Sequence, residues 1–201
     1  MELITISREF GSGGRELGKR LADALGYAYF DREIETELAK RLDLDAEYIA
    51  HTLRHGALLN IPLHFGKTLA VPVARPQVEI LVEKRRMLRE IAAAAPCVIV
   101  GRAADVILAD YEPLKLFIYA DMAHKVERCR QHAHEGEDLS DRALEKSIRR
   151  MDNERAQYLR LFTDKTWGQK ERYHLCINTG GVEIQSVVPA VAGYARAWLQ
   201  K

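Results

Sequence analysis

The stretch "ITISREFGSGGREL", residues Ile4 to Leu17, decides the reading of this 201-residue chain. An apolar run leads into three glycines, Gly11, Gly13 and Gly14. A segment with Leu17, Leu21, Ala24 and Leu25 on one helical face follows. A strand, a glycine-rich turn and a helix start aim backbone N–H groups at one point and add the positive end of the helix dipole. The glycines permit φ > 0 and close backbone approach, so the loop can cradle phosphates. The full phosphate-loop pattern is G-x-x-x-x-G-K-[ST]. Here Arg8 takes the first glycine, Gly13 the second, Gly14 the lysine and Arg15 the hydroxyl residue. A glycine-rich turn without a ligand would give the same letters. The dinucleotide fingerprint G-x-G-x-x-G, begun at Gly11, fails at Glu16, although Asp31 stands about 20 residues on, where that fingerprint wants an acid.

Outward from this loop the chain alternates. Strands are expected at 3–7, 27–31, 97–101, 114–120 and 174–178. Helices are expected at 14–25, over 32–53 as two pieces broken near Asp43, at 77–95, within 102–110, at 122–133, from the N-cap Ser140 to about 161, and at 182–199. Residues 54–76, with three prolines and two glycines, read as one irregular segment, and 134–140 as a loop. Continuous apolar strands alternating with helices indicate an α/β fold with a parallel sheet, whose ligands bind at the carboxyl ends of the strands. That topology brings Arg8–Gly14, Asp31 and Gly101-Arg102 to one edge.

Composition narrows the function classes. Apolar residues at 47% and charged residues at 29% are ordinary for a soluble globular domain. A net charge of +1 argues against a dedicated nucleic-acid or membrane binder. No apolar run approaches a membrane span, and "MELITI" lacks the pattern of a secretory signal. Cys97, Cys129 and Cys176 fit no metal spacing and suggest buried, reduced thiols in a cytoplasmic protein; the seven histidines, "HAH" at 132–134 included, show no ligand spacing either.

Arginines separate the two readings of the glycine loop. Phosphoryl transfer needs charge neutralisation around two sets of phosphates, and arginine's planar fork suits that task. Arg102 follows a buried strand, where a binding residue belongs. In "SIRRMDNERAQYLRLFTDKTWG", residues 147–168, Arg149, Asp152 and Arg155 are spaced by three and can share a helical face, with Arg150 on a neighbouring one. A solvated helix with an Asp–Arg pair would give the same periodicity. A hydride-transfer enzyme has no special need for this second arginine set, whereas a phosphoryl-transfer enzyme with a closing lid does.

Together, "ITISREFGSGGRELGKRLADALGYAYFDREI", "CVIVGRAADVIL" and "DNERAQYLRLFTDKTWG…YHLCINTG" resemble the cytidylate kinase-like family, a branch of the P-loop nucleoside monophosphate kinases, from near residue 2 to near residue 195. The resemblance implies a P-loop NTPase-type three-layer α/β fold with a five-stranded parallel sheet. Its core would be 1–31, 96–133 and 161–201, with a helical NMP-binding insertion at about 32–90 and a short lid at about 134–160. It implies ATP-dependent phosphoryl transfer, with Mg²⁺, to a small phosphorylated acceptor such as CMP or dCMP; the composition adds the expectation of a cytoplasmic location and of no nucleic-acid or membrane partner. ATP would be held by Gly11, Ser12, Gly13, Gly14, Arg15, Glu16 and Arg149. Arg15, Arg102, Asp152 and Arg155 would be catalytic, Asp31, Arg102, Arg150 and Asp152 would bind the acceptor, and Asp31 would hold Mg²⁺. The P-loop lysine and the following hydroxyl are absent. Arg15 is the nearest replacement cation and Arg8 the alternative. A nucleotide-binding regulatory module without turnover is the second reading, and a Rossmann-type oxidoreductase the third. The apolar stretch 57–73 reads as pocket wall, lid or subunit contact, which leaves a homo-oligomer open.

Overall fold

The computed structural model describes residues 2–55, 75–132 and 140–200. Its strands are β1 (Leu3–Arg8), β2 (Ala28–Phe30), β3 (Cys97–Val100), β4 (Leu114–Tyr119) and β5 (Leu175–Asn178). They form one parallel sheet in the order β2-β3-β1-β4-β5. Helix α1 (Gly14–Leu25) links β1 to β2; α2 (Glu33–Leu42), α3 (Ala46–His55) and α4 (Arg75–Ala94) lie between β2 and β3. The short α5 (Ala104–Ile107) and a 3-10 turn, Ala109–Tyr111, precede β4. Helices α6 (Met122–Gln131) and α7 (Asp141–Arg160) lie between β4 and β5, and α8 (Ile184–Leu199) ends the described chain.

The alternation of side chains along each strand explains the layering. Ile4 and Ile6 of β1, Val98 and Val100 of β3 and Leu116 and Ile118 of β4 face α1 and α8, where they meet Leu17, Leu21, Val188 and Val191. Leu3, Cys97 and Ile99 face the other way, onto Leu38, Ile49, Ile80, Leu88 and Leu159. The three central strands, β1, β3 and β4, are therefore buried on both faces, as their unbroken apolar runs require. Gly18 lets α1 sit close: an added Cβ there would lie 2.9 Å from Val100 Cγ2.

The element boundaries follow local chemistry. The helix expected at 14–25 is Gly14–Leu25, closed by Gly26 at φ 73°. The break expected near Asp43 is a left-handed C-cap at φ 51°. Ser140 Oγ accepts the N–H of Ala143 and caps α7. The last helix starts at Ile184, two residues later than expected, and Gly181 precedes it at φ 71°. Most of the expected irregular segment, 56–74, and most of the expected loop, 133–139, lie outside the described residues. No described helix is long and apolar enough to cross a membrane. Cys97 is buried in β3, while Cys129 and Cys176 are half-buried. Since β1 sits between β3 and β4, the connections around it run to opposite sides, and its carboxyl end opens at a topological switch point.

Candidate functional site

The loop after β1 is wedged into place. Glu9 donates its N–H to Ile118 O at 2.9 Å, and the Ser12 hydroxyl donates to Glu9 O at 2.8 Å. The buried Thr179 hydroxyl, from the end of β5, donates to Ser12 O at 2.7 Å. Gly11 and Gly13 both take φ 75°; an added Cβ would lie 2.8 Å from Lys125 O at the first and 2.5 Å from Ile184 Cδ1 at the second. Gly13 caps α1 with no side-chain hydrogen bond. The first-turn N–H groups of Gly14, Arg15 and Glu16 have no intrahelical acceptor by construction, and no other acceptor is found for them among the described residues, so they point at the place where an anion fits the positive end of the helix.

Across the edge, Gly101, Arg102 and Ala103 follow β3 with φ of 74°, 65° and 55°. Holding two non-glycine residues there costs roughly 1–3 kcal/mol each. Lys84 of α4 braces this turn. Its ammonium is wholly buried, donates to Arg102 O at 2.7 Å and to the Tyr158 hydroxyl, and lies 4.5 Å from the centre of the Tyr158 ring. Burial drives its pKa well below the ordinary lysine value; the Arg102 charge adds to the effect and Glu35 opposes it. The turn directs the Arg102 guanidinium to Glu35 and, at 3.5 Å, to Asp31. Asp31 is itself buried, with Arg15 Nε at 2.5 Å and Arg8 Nη2 at 3.7 Å. Its Oδ1 has no hydrogen-bond partner among the described residues.

Helix α7 closes the third side. Asp152 accepts the Phe10 N–H at 2.7 Å and lies 3.3 Å from Lys125 Nζ and 3.5 Å from Arg155. Lys125 also reaches Glu9 at 3.0 Å, and Arg155 donates to Arg8 O at 2.9 Å. Burial raises the Asp152 pKa, opposed by the Phe10 N–H and the neighbouring cations; burial also lowers the pKa values of Arg8 and Arg155. Steps of three residues fall about 60° short of a full turn each, so a face shared by Arg149, Asp152 and Arg155 drifts. Arg149 and Arg150 end up exposed, ion-paired with Glu145 at 3.5 Å and Glu154 at 3.9 Å, away from the cluster.

Two cavities adjoin here. One, of about 490 Å³, opens over Gly11, Gly13 and Gly14, with Arg128 and Ser147 on its far wall. The other, of about 440 Å³, lies between the loop and the helices after β2 and is lined by Glu35, Leu53, Lys84, Arg102 and Tyr158. Arg8, Arg15, Arg32 and Arg155 line both. Of the residues expected at the site, the glycines, Arg15, Asp31, Arg102, Asp152 and Arg155 converge; Ser12 is buried beneath the loop. Sequence reasoning missed Lys84, Glu35, Lys125, Arg128 and Tyr158. One signal was available: Lys84 shares the spacing of Ile80, Met87 and Leu88, a lysine on an apolar helical face.

Direct Mg²⁺ ligation by Asp31 does not fit this donor set. Mg²⁺ favours one or two carboxylates together with phosphates and water. The Asp31 carboxylate already faces three guanidiniums, and the nearby Glu9 carboxylate is engaged by Lys125 and, at 3.4 Å, by the Ala120 N–H. Among the described residues no group of three His, Cys, Asp or Glu could hold a metal ion.

A parallel five-stranded sheet with a glycine loop and helix at its switch point is a P-loop NTPase-type fold. The chain belongs to the cytidylate kinase-like family, whose model matches residues 3–181. Family and fold are thus both kinase-like. An uncharacterized protein from Eubacterium ventriosum is similar in structure, with a TM-score of 0.70 and 25% identity over 98% of this chain and 99% of that one. Shikimate kinase from Bacteroides thetaiotaomicron shares the fold with a TM-score of 0.56 at 15% identity, over 100% and 99% of the two chains. Shikimate kinase from Acinetobacter baumannii shares it with a TM-score of 0.53 at 14% identity, over 99% and 96%. No curated protein matches the chain.

Proposed function

We propose that this chain transfers the γ-phosphoryl group of ATP to a small phosphorylated acceptor, most simply CMP or dCMP. The observation that carries this is the pair of adjoining cavities with Arg8, Arg15, Arg32 and Arg155 at their junction. A group leaving one cavity for the other stays among fixed positive charges, the main requirement of phosphoryl transfer. The donor phosphates occupy the loop cavity, on the N–H groups at the start of α1 and Arg15. The acceptor phosphate lies in the second cavity, against Arg102. An acceptor oxygen forms the new bond to the γ-phosphorus as the bond to the bridging β-oxygen breaks, and ADP leaves. Helices α2 to α4 serve as the acceptor-binding insertion and α7 as the lid. Mg²⁺ would come with the ATP phosphates and help to neutralise their charge.

The second reading, a nucleotide-binding module without turnover, draws on Gly14 standing where the loop's lysine is expected. One experiment separates them. ATP and ADP should raise the melting temperature, and CMP or dCMP with ATP should yield ADP and the matching diphosphate. Stabilisation without ADP production from any nucleoside monophosphate would favour the module.

A further inference from the structure

The lysine missing from the loop leaves a specific space, and that space is filled. A Cβ added at Gly14 would lie 2.6 Å from Arg8 Cβ and 3.0 Å from Arg8 Cγ. The stem of any side chain at position 14 and the stem of Arg8 therefore compete for one volume. A side chain at either position requires glycine, or a different path, at the other. In the pattern G-x-x-x-x-G-K the glycine stands first and the cation seventh. In this chain the arginine stands first and the glycine seventh.

The far end of Arg8 adds an independent observation. Its guanidinium packs directly on Gly101, where a Cβ would overlap Nη1, and Gly101 is held at φ 74°. Arg8 lines both cavities. Its approach to Asp31, at 3.7 Å, is beyond hydrogen-bond length, so its donors are not spent on that carboxylate. Arg15, by contrast, has its Nε 2.5 Å from Asp31 and is half exposed. Arg128 and Arg155 donate to backbone carbonyls.

We propose that Arg8, entering from the strand side, supplies the charge that a lysine at position 14 would supply, so that cation and glycine have exchanged places across the loop. This rests on the reading of the loop as a donor-phosphate site. It assigns to Arg8 the place next to the terminal phosphates that the sequence alone suggested for Arg15.

The test is ADP binding to the whole chain, measured by calorimetry at low salt, with ADP production assayed in parallel. Arg8→Met keeps the stem over Gly14 and removes the charge; it should weaken ADP binding about 10–100-fold, the scale of lost charged hydrogen bonds. Arg15→Ala should lose less. Gly14→Lys alone should melt lower than the parent, because its stem meets that of Arg8. The exchange variant, Arg8→Gly with Gly14→Lys, should melt above Gly14→Lys and recover most of the lost affinity. Unchanged ADP binding by Arg8→Met overturns the proposal, as does a larger loss in Arg15→Ala or an exchange variant no better than Gly14→Lys. A parent that binds no ADP overturns it as well. If the parent binds ADP, Arg8→Met does not, and no acceptor supports turnover, the kinase reading falls and the exchange stands.

Discussion

Lys84 is a wholly buried cation facing Arg102 and Glu35 and lying against Tyr158 and Phe162. The unfolded chain holds the Lys84 proton up to the ordinary value of 10.5, whereas in the folded protein burial makes the proton leave at lower pH. Between those two pH values the unfolded state binds the extra proton, so stability rises with pH in that window. Lys84→Met fills a similar volume without the charge. The melting temperature of the parent should therefore climb relative to Lys84→Met as pH rises towards 10.5; parallel pH profiles would mean that Lys84 does not titrate below that value. The variant also frees Arg102 O, so ATP affinity should fall as the strained turn at 101–103 loses its brace.

At the scale of elements, Asp152 joins α7 to the loop and to α6. It is at once the acceptor for the Phe10 N–H and the counter-charge of Lys125 and Arg155. Removing Asp152 leaves the Phe10 N–H without its acceptor, while Lys125 keeps Glu9 and Arg155 keeps Arg8 O, at a cost of about 1–3 kcal/mol. Asp152→Ala should lose about that much in urea unfolding with an unchanged m value, and Asp152→Asn, which can still accept the Phe10 N–H, should lose less. If both variants unfold like the parent, the network holds nothing together. The joint also bears on function, since Arg155 reaches Arg8 O from the same helix and a displaced α7 would move both arginines.

Across the whole molecule the charge is nearly balanced, at +1, yet cations gather at one edge of the sheet. The sheet order accounts for this: β1 and β3 are neighbours, so the ends of two strands far apart in the chain deliver Arg8 and Arg102 to one place. A site built of arginines should bind polyanions in a salt-dependent way. ATP affinity should fall as ionic strength rises from about 50 mM to about 500 mM, because the screening length shortens from more than about 10 Å to about 4 Å. Arg32→Ala, which removes an exposed cation from both cavities, should flatten that dependence. A salt-independent affinity would place the binding energy elsewhere than in these guanidiniums.

The layered α/β fold was legible in the order of the residues, because a buried parallel strand must be apolar on both faces and a helix with one buried face must repeat near 3.6. Glycines at turns and caps marked where α1 begins and ends. The arrival of the glycine loop, Asp31 and Arg102 at one edge of the sheet also followed, since it needs only parallel strand direction; their contacts needed the strand order. Which side chain fills which space was settled when the layers packed. The contest between Arg8 and Gly14 is between residues six apart whose stems meet across the loop, and spacing carries no record of that meeting. The division of α7 into an inner Asp152–Arg155 pair and an outer Arg149–Arg150 pair depends on how that helix rolls against α6 and the loop. The partners of Lys84 come from α7 and from the turn after β3, brought together only when the layers close. Periodicity fixes which face of an element is buried, but contacts between elements depend on their rotation and on the volumes between them, and those are settled by packing.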